Sequence, residues 1–234
     1  MKKHILFLFS ILCATIVSAQ NITNTTTGDV LSDINNGLGR YVNNPNKQID
    51  IDGNKYLYDN WNTVGEIHSL TGEVFRVKNL NLNLKTNQFE AQIIDETTKD
   101  EKFYVFDSEN IASVKIFNDN FVKYMNPKTN KTCFMEELAV ADKVKILKYS
   151  TVRIKDATVN ALTQQVETNA KYLKDGIYFK AEDNTVTAFK PKKKSVVTLF
   201  PNKSSEVSDY IKGNKLNVKD ENDLVNVFNY YNTL

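Results

Sequence analysis

Cysteine and histidine are scarce in this sequence, and their scarcity limits its chemistry. The chain of 234 residues has two of each, and Cys13 and His4 lie in a segment that we expect to be removed. Cys133 then remains alone, which excludes an intramolecular disulfide, so stability must come from the core. We expect Cys133 to be a small buried hydrophobe rather than a reactive thiol or an intermolecular bridge.

An excess of charge of either sign is also missing. The formal net charge of +2 comes from Lys2 and Lys3, so the remaining chain is balanced. Nucleic acids and anionic membranes are bound through a basic excess that neutralises phosphates, so neither partner is indicated. We interpret the single basic cluster, residues 190–194, as a solvated loop.

The N-terminus has the three zones of an export signal. Lys2 and Lys3 precede an apolar run over residues 5–17, and the small residues of 17–19 form a cleavage site. The run is shorter than the roughly 20 residues of a membrane-spanning helix, and no charged stop-transfer flank follows it. We therefore predict a cleaved signal peptide over residues 1–19 rather than an anchor or a buried helix. The mature protein is expected in the periplasm or cell envelope, or secreted.

The rest of the chain divides into three parts. Residues 20–54 are rich in Asn, Thr and Gly, a composition typical of a linker. Residues 55–156 alternate apolar and polar side chains, which predicts an antiparallel β domain. Residues 157–234 are predicted to add a connector, a β-hairpin and C-terminal helices that pack on the β domain.

Alternation is clearest at residues 79–84, Asn-Leu-Asn-Leu-Asn-Leu. It predicts a half-buried strand with the leucines on one face and the asparagines on the other. Other alternating runs predict strands at 74–78, 89–93, 103–106, 114–116, 121–125, 133–138, 144–154, 177–180 and 185–189. The turns between them are too short for crossover helices, so consecutive strands must pair antiparallel. We predict an α+β fold, mainly β, either an antiparallel β-sandwich or a partly open barrel.

A helical period appears near the C-terminus. Asp220 is a favoured N-cap ahead of one apolar stripe, and Gly213 offers a C-cap after another. We therefore predict a short C-terminal helical hairpin that covers one end of the sheet. The two stripes are Val207, Tyr210 and Ile211, and then Leu224, Val227, Phe228 and Tyr231.

No residue pattern predicts a catalytic, metal-binding or cofactor site. Glu136 and Glu137 resemble a glycosidase carboxylate pair, but neighbours on a strand point to opposite faces. Asp107 and Glu109 lie in a predicted turn. His68 could join Ser69 and a distant carboxylate in a triad, or a zinc site, but a lone strand histidine is typically an exposed polar side chain.

Two further features have simple structural interpretations. Residues 48–59 follow a calcium loop faintly, but Gln48 and Asp59 replace its first Asp and its bidentate Glu, so we expect a turn into the first strand. An exposed row of aromatic side chains could bind sugar rings, but strand aromatics usually pack in the core. The aromatic residues concerned are Trp61, Phe75, Phe89, Phe103, Tyr104, Phe121 and Tyr124.

Several stretches together resemble an uncharacterised exported family that is common in Bacteroidota. They are Tyr-Leu-Tyr-Asp-Asn-Trp at 56–61, the Leu-Asn-Leu segment with Asn-Gln-Phe-Glu at 87–90, Phe-Asp-Ser-Glu-Asn-Ile at 106–111, and the C-terminal Tyr-Ile-Lys at 210–212, Lys-Leu at 215–216, Asp-Leu at 223–224 and Tyr-Tyr-Asn at 230–232. The resemblance spans about residues 56–232 and implies export and the domain limits. The family has no established activity, so it implies no catalytic residues. The chain ends in a helical pattern rather than a β-sandwich sorting domain, which favours retention in the periplasm or envelope.

These observations predict a non-enzymatic exported envelope protein that acts as a binding or structural module for another protein or a polymer. Two alternatives stay open. One is a carrier of a small apolar ligand in a β-barrel cavity. The other, ranked last, is a carbohydrate-active or other hydrolase that uses carboxylates.

Overall fold

The structure, a computed structural model, describes residues 38–43, 51–95, 97–141, 143–183 and 185–234. The predicted signal peptide lies outside these ranges. Within them the fold is α+β and mainly β, with antiparallel sheets and helices near the C-terminus. The predicted fold class is therefore confirmed.

The elements follow one another along the chain with short connections. The strands of the described residues are β1 (Gly39–Asn43), β2 (Val64–Ser69), β3 (Val74–Lys78), β4 (Leu80–Asn83), β5 (Gln88–Ile94), β6 (Glu101–Phe106), β7 (Ile111–Ile116), β8 (Asp119–Asn126), β9 (Lys131–Val140), β10 (Val144–Lys155), β11 (Thr158–Val159), β12 (Val166–Thr168), β13 (Lys171–Glu182) and β14 (Thr185–Ala188). The α-helices are α1 (Lys193–Val197), α2 (Ser204–Gly213) and α3 (Glu221–Tyr231).

The strands form a small sheet and a large sheet. The small sheet has the order β1-β6-β5-β4, and the large sheet has the order β14-β13-β10-β9-β8-β7-β2-β3. β11 and β12 pair only with each other. β1 falls inside the linker-like segment 20–54 and pairs antiparallel with β6, so part of that segment contributes to the small sheet.

The chain passes from the large sheet to the small sheet at one residue. Asn79 separates β3 from β4 and has a φ of 53°. Asparagine tolerates this left-handed conformation better than most residues. Its backbone N–H donates to the Thr63 carbonyl at 2.7 Å, and its side chain donates to the Gln92 carbonyl at 3.2 Å. These bonds fix the point at which the strand direction changes.

The two sheets pack face to face around one apolar core, which we call the sandwich core. Side chains from both sheets are fully buried there, which gives the sandwich-like layering of two antiparallel sheets. The buried residues of the sandwich core are Ile67, Val77, Leu80, Leu82, Leu84, Phe89, Ala91, Tyr104, Phe106, Ile111, Val114, Ile116, Phe121 and Phe134.

The prediction of a half-buried strand at residues 79–84 is wrong, because both faces of β4 are buried. Asn81 is 0% exposed and Asn83 is 2% exposed. The preceding chain covers them: the Tyr58 N–H donates to the Asn81 side-chain oxygen at 3.1 Å, and the Asn81 amide donates to the Tyr58 carbonyl at 2.9 Å. A buried amide is tolerated because its hydrogen bonds are made.

The far half of the large sheet curls. β14 lies beside β8, although three strands separate them in the sheet order. We call β8, β9, β10, β13 and β14 the roll. Its interior is filled by side chains, with Met135, Leu147 and Phe179 each 0% exposed.

The C-terminal helices cover the opposite face of the same strands. They bury a second apolar cluster, the helix core, against β9 and β10. Asp220 caps α3 by accepting from the N–H groups of Asn222 and Asp223, as its position predicts. Leu224 is 1% exposed, Val227 is 0% and Phe228 is 1%. The predicted helices therefore belong to the main fold.

β10 and β13 extend beyond the sheets. They pair along their full length, from Val144 opposite Glu182 to Lys155 opposite Lys171. Beyond that pair, β11 and β12 continue as a hairpin within residues 157–168, the predicted connector. We call residues 151–175 the arm.

Replacement of Phe228 by alanine should destabilise the whole protein. A buried phenylalanine truncated to alanine costs roughly 3 to 5 kcal/mol, so the melting temperature should fall by several degrees. Asn226 lies on the same helix with an exposed side chain, and Asn226→Ala is the matched control that should change little. Equal melting temperatures for the two variants would contradict the burial of α3.

Candidate functional site

A cluster of ionisable side chains lies between the sandwich core and the helix core. Tyr58 packs against the sandwich core, and Tyr178 packs against the helix core. Glu136 on β9 and Lys148 on β10 are register partners, so they share one face of the large sheet. The polar seam, as we call it, consists of Tyr58, Asp119, Glu136, Lys148, Tyr178 and Glu221.

The bonds within the polar seam connect α3 to the sheet. Glu221 lies in the first turn of α3, where a carboxylate also favours the helix dipole. Its two oxygens accept from Lys148 Nζ at 2.7 Å and from the Tyr178 hydroxyl at 2.6 Å. The Tyr58 hydroxyl donates to Asp119 at 2.6 Å. Two carboxylates, Glu136 and Glu221, therefore share the ammonium group of Lys148.

Glu136 is the carboxylate of the polar seam whose negative charge is least stabilised by neighbouring groups. Its side chain is 11% exposed, and its oxygen is 4.0 Å from Lys148 Nζ. Burial raises the pKa of Glu136 to about 7, Lys148 opposes that shift, and Asp119 and Glu221 add to it by repulsion. Near neutral pH this carboxyl group therefore exchanges a proton, as a general acid or base would.

Glu137, the next residue on β9, faces the opposite side of the sheet, as expected for neighbours on a strand. It accepts from Lys145 Nζ at 2.5 Å, from the Tyr124 hydroxyl at 2.5 Å and from the Asn120 amide at 2.9 Å. Burial opposes its ionisation, but the bonds from Lys145 and Tyr124 outweigh burial and hold the pKa below its usual value. The two glutamates therefore serve separate networks.

The structure does not assemble a triad around His68. His68 is half-buried on β2. Ser69 points to the other face of the strand and bonds within the following turn, to the Thr71 hydroxyl at 2.8 Å and the Glu73 N–H at 3.0 Å. Across the described residues, no group of three or more His, Cys, Asp or Glu side chains is arranged to hold a metal ion.

The single cysteine of the described residues packs in the roll. Cys133 is half-buried against the cluster that contains Met135 and Phe179. Burial raises the pKa of its thiol to about 11. The nucleophilic thiolate form is therefore scarce near neutral pH.

The remaining sequence candidates have structural roles. Asp107 caps the 3-10 helix Ser108–Asn110, which is the predicted turn. Asp59 forms an ion pair with Lys174 at 2.5 Å, while Gln48, at the start of the calcium-like loop, lies outside the described residues. The four lysines of residues 190–194 are exposed, as predicted, but Lys193 and Lys194 form the start of α1 rather than a loop.

The seven aromatic residues considered for sugar binding do not form an exposed row. Phe89, Phe103, Tyr104 and Phe121 are buried in the core. The other three, Trp61, Phe75 and Tyr124, are half-buried.

The arm is the most exposed regular structure of the described chain. Val159 and Val166 are directly opposite each other and are 49% and 60% exposed, and Leu162 at the turn is 95% exposed. The sequence does not indicate the arm, because β11 and β12 are only two and three residues long. Two apolar residues flanking a polar turn are the one sequence feature that could have indicated it.

Comparisons with protein-family models, curated proteins and solved structures find no match to this chain. None of the helices in the described ranges is long and apolar enough to cross a bilayer.

The polar seam predicts how stability depends on pH. The folded pKa of Glu136, about 7, lies above the ordinary value of 4.5, so this residue favours the folded state at low pH and that contribution is lost as pH rises through 7. Glu136→Gln should therefore gain stability relative to the natural protein between pH 5 and pH 8, by on the order of 2 kcal/mol. Urea unfolding at each pH measures it.

Glu137→Gln is the control for that measurement. The folded pKa of Glu137 is lowered, so its contribution is present above the ordinary pKa and is lost only in acid. This variant should be destabilised about equally at pH 6 and pH 8. The same pH dependence in both variants would refute the assignment to Glu136.

Proposed function

We propose that this protein is a non-enzymatic binding module that acts outside the cytoplasm and contacts a partner protein through its arm. The exposure of the arm is the observation that carries this proposal. Residues 153–169 add no side chain to the three apolar clusters of the described chain. By adopting a regular conformation, residues 153–169 therefore gain no burial in an apolar core of the described protein.

The energetics of the arm support a role in binding. A two-stranded hairpin without a core is marginally stable in water. Exposed apolar side chains such as Leu162 are favourable only when another surface covers them, and clustered apolar groups mark interaction sites. A partner that buries Val159, Leu162 and Val166 would supply the stabilisation that the arm lacks in isolation.

The arm favours the binding module over the two alternatives. A carrier would need open space inside the roll, but Met135, Leu147 and Phe179 occupy the roll interior. A hydrolase would need carboxylates that are free to meet a substrate. In the polar seam, both oxygens of Glu221 are already bonded, and so is one oxygen of Asp119. The side chain of Glu136 is only 11% exposed, so its burial limits contact with a substrate.

Export is supported by the sequence of residues 1–19 alone, and we retain it as part of the proposal. The three-zone pattern predicts cleavage after Ala19. Mass spectrometry of the protein purified from its own cells should find Gln20 at the N-terminus. A protein that begins at Met1 would contradict export by this route.

The arm can be tested with a matched pair of leucine variants. Leu162 lies on the arm, and Leu70, which is 63% exposed, lies in the turn between β2 and β3. We expect Leu162→Ser to reduce cross-linking of the full-length protein to its partner in envelope extracts at least threefold. Leu70→Ser should leave cross-linking unchanged, and neither variant should alter the melting temperature.

A variant with residues 156–169 replaced by Asn-Gly provides the stronger form of this test. It should keep cooperative unfolding and lose the cross-linked partner. Undiminished cross-linking with this variant would overturn the assignment of binding to the arm.

A further inference from the structure

β10 separates from β9 after Lys148, although it stays paired with β13. Its pairing with β9 covers only Lys145 to Lys148, where Lys148 is opposite Glu136. Two residues from Glu136 on β9, the backbone of Phe134 is bonded by a side chain: its N–H donates to the Asn87 oxygen at 2.7 Å, and its carbonyl accepts from the Asn87 amide at 3.1 Å. Within the described residues, the edge of β10 from 151 to 155 therefore has no neighbouring strand.

One face of the arm is basic. Lys155 lies directly opposite Lys171, and Arg153 lies two residues before Lys155 on the same face. Like charges directly opposite each other in a sheet are unfavourable. Asp175 neutralises Arg153 at 3.0 Å, whereas Asp52 contacts Lys171 only by backbone pairing, as an isolated β-bridge. Lys155 makes no ion pair with a described carboxylate.

The other face of the arm carries apolar side chains at its outer end, while Lys174 lies opposite Val152 nearer the sheets and pairs with Asp59. Ile154 is opposite Tyr172 in the register and is 39% exposed. Along the free edge, basic and apolar side chains therefore alternate with the period of a strand. Exposed edges with this regular pattern accept an added strand, whose backbone provides affinity and whose alternate side chains provide specificity.

We propose that the edge of β10 over residues 151–155 binds an extended segment of a partner protein in which acidic and apolar residues alternate. This inference rests on the proposed function and specifies its partner. The acidic side chains of the segment face Lys155 and Lys171, and its apolar side chains cover Ile154. Its backbone completes the hydrogen bonds that β10 leaves open beyond Lys148.

A labelled synthetic peptide tests the chemistry directly. The probe is an eight-residue peptide that alternates Glu and Val, and binding to the full-length protein is followed by fluorescence anisotropy. A control peptide of the same composition, in which two Glu residues alternate with two Val residues, tests whether strict alternation is needed. A second control, with Lys in place of every Glu, tests the charge. We expect the alternating acidic peptide to bind at least tenfold more tightly than either control. Equal binding of the three peptides, or no binding, would overturn the inference.

Charge reversal locates the site without damaging the fold. Lys155→Glu places opposite charges across the register from Lys171, which is favourable for the arm, and it should weaken peptide binding at least tenfold. Lys128→Glu changes the same charge in an exposed turn and should have little effect. Equal affinity of both variants would place the peptide elsewhere.

Backbone pairing is tested by N-methylation of the peptide. Alternate N–H groups of an added strand face its neighbour. One peptide is therefore N-methylated at its four valines and another at its four glutamates. Only one of these two peptides should lose binding. Binding that survives both patterns would exclude strand addition. If the arm deletion loses the cross-linked partner while the peptide fails to bind, the proposed function stands and this inference alone falls.

Discussion

Two hydrogen bonds between the Asn87 side chain and the backbone of Phe134 connect the small sheet to the large sheet. A carboxamide has the same donor and acceptor as a peptide group, so it can stand in for a neighbouring strand. Asn87 ends the turn after β4 with a φ of 55°. Its bonds to Phe134 lie where β10 would otherwise continue its pairing with β9. The contact therefore adds a polar link to the apolar packing between the sheets.

At β4, a side-chain amide again forms the hydrogen bonds that a backbone peptide group of a neighbouring strand would form. Asn81 makes paired bonds with the backbone of Tyr58, and the Asn83 amide donates to the buried carboxylate of Glu90 at 2.7 Å. These bonds hold the chain before β2 against the edge of the small sheet. Tyr58 is thereby positioned to reach Asp119 in the polar seam. Burial of these asparagines is tolerated because their amides make their hydrogen bonds.

The local pattern of the sequence predicted most elements and few of their long-range relationships. β3 has the predicted limits, and Asp220 caps α3 as expected, because side-chain period and capping act over a few residues. The alternation at residues 79–84 gave a strand but the wrong burial, since burial of Asn81 depends on chain more than twenty residues away. The polar seam depends on which strands become neighbours, and sequence period does not specify that order. Glu136 and Glu221 are therefore brought together only by the complete topology.

The separation of the outer part of the arm, residues 153–169, from the three apolar clusters has a consequence for how the protein can change over generations. Substitutions in a packed core alter stability and affinity together, because the same side chains serve both. Residues 156–169 touch none of the described clusters. Their sequence can therefore diverge under selection for a different partner while the sandwich and the helix core keep the fold, as binding loops on rigid scaffolds do. Specificity and stability evolve as independent traits in such a chain.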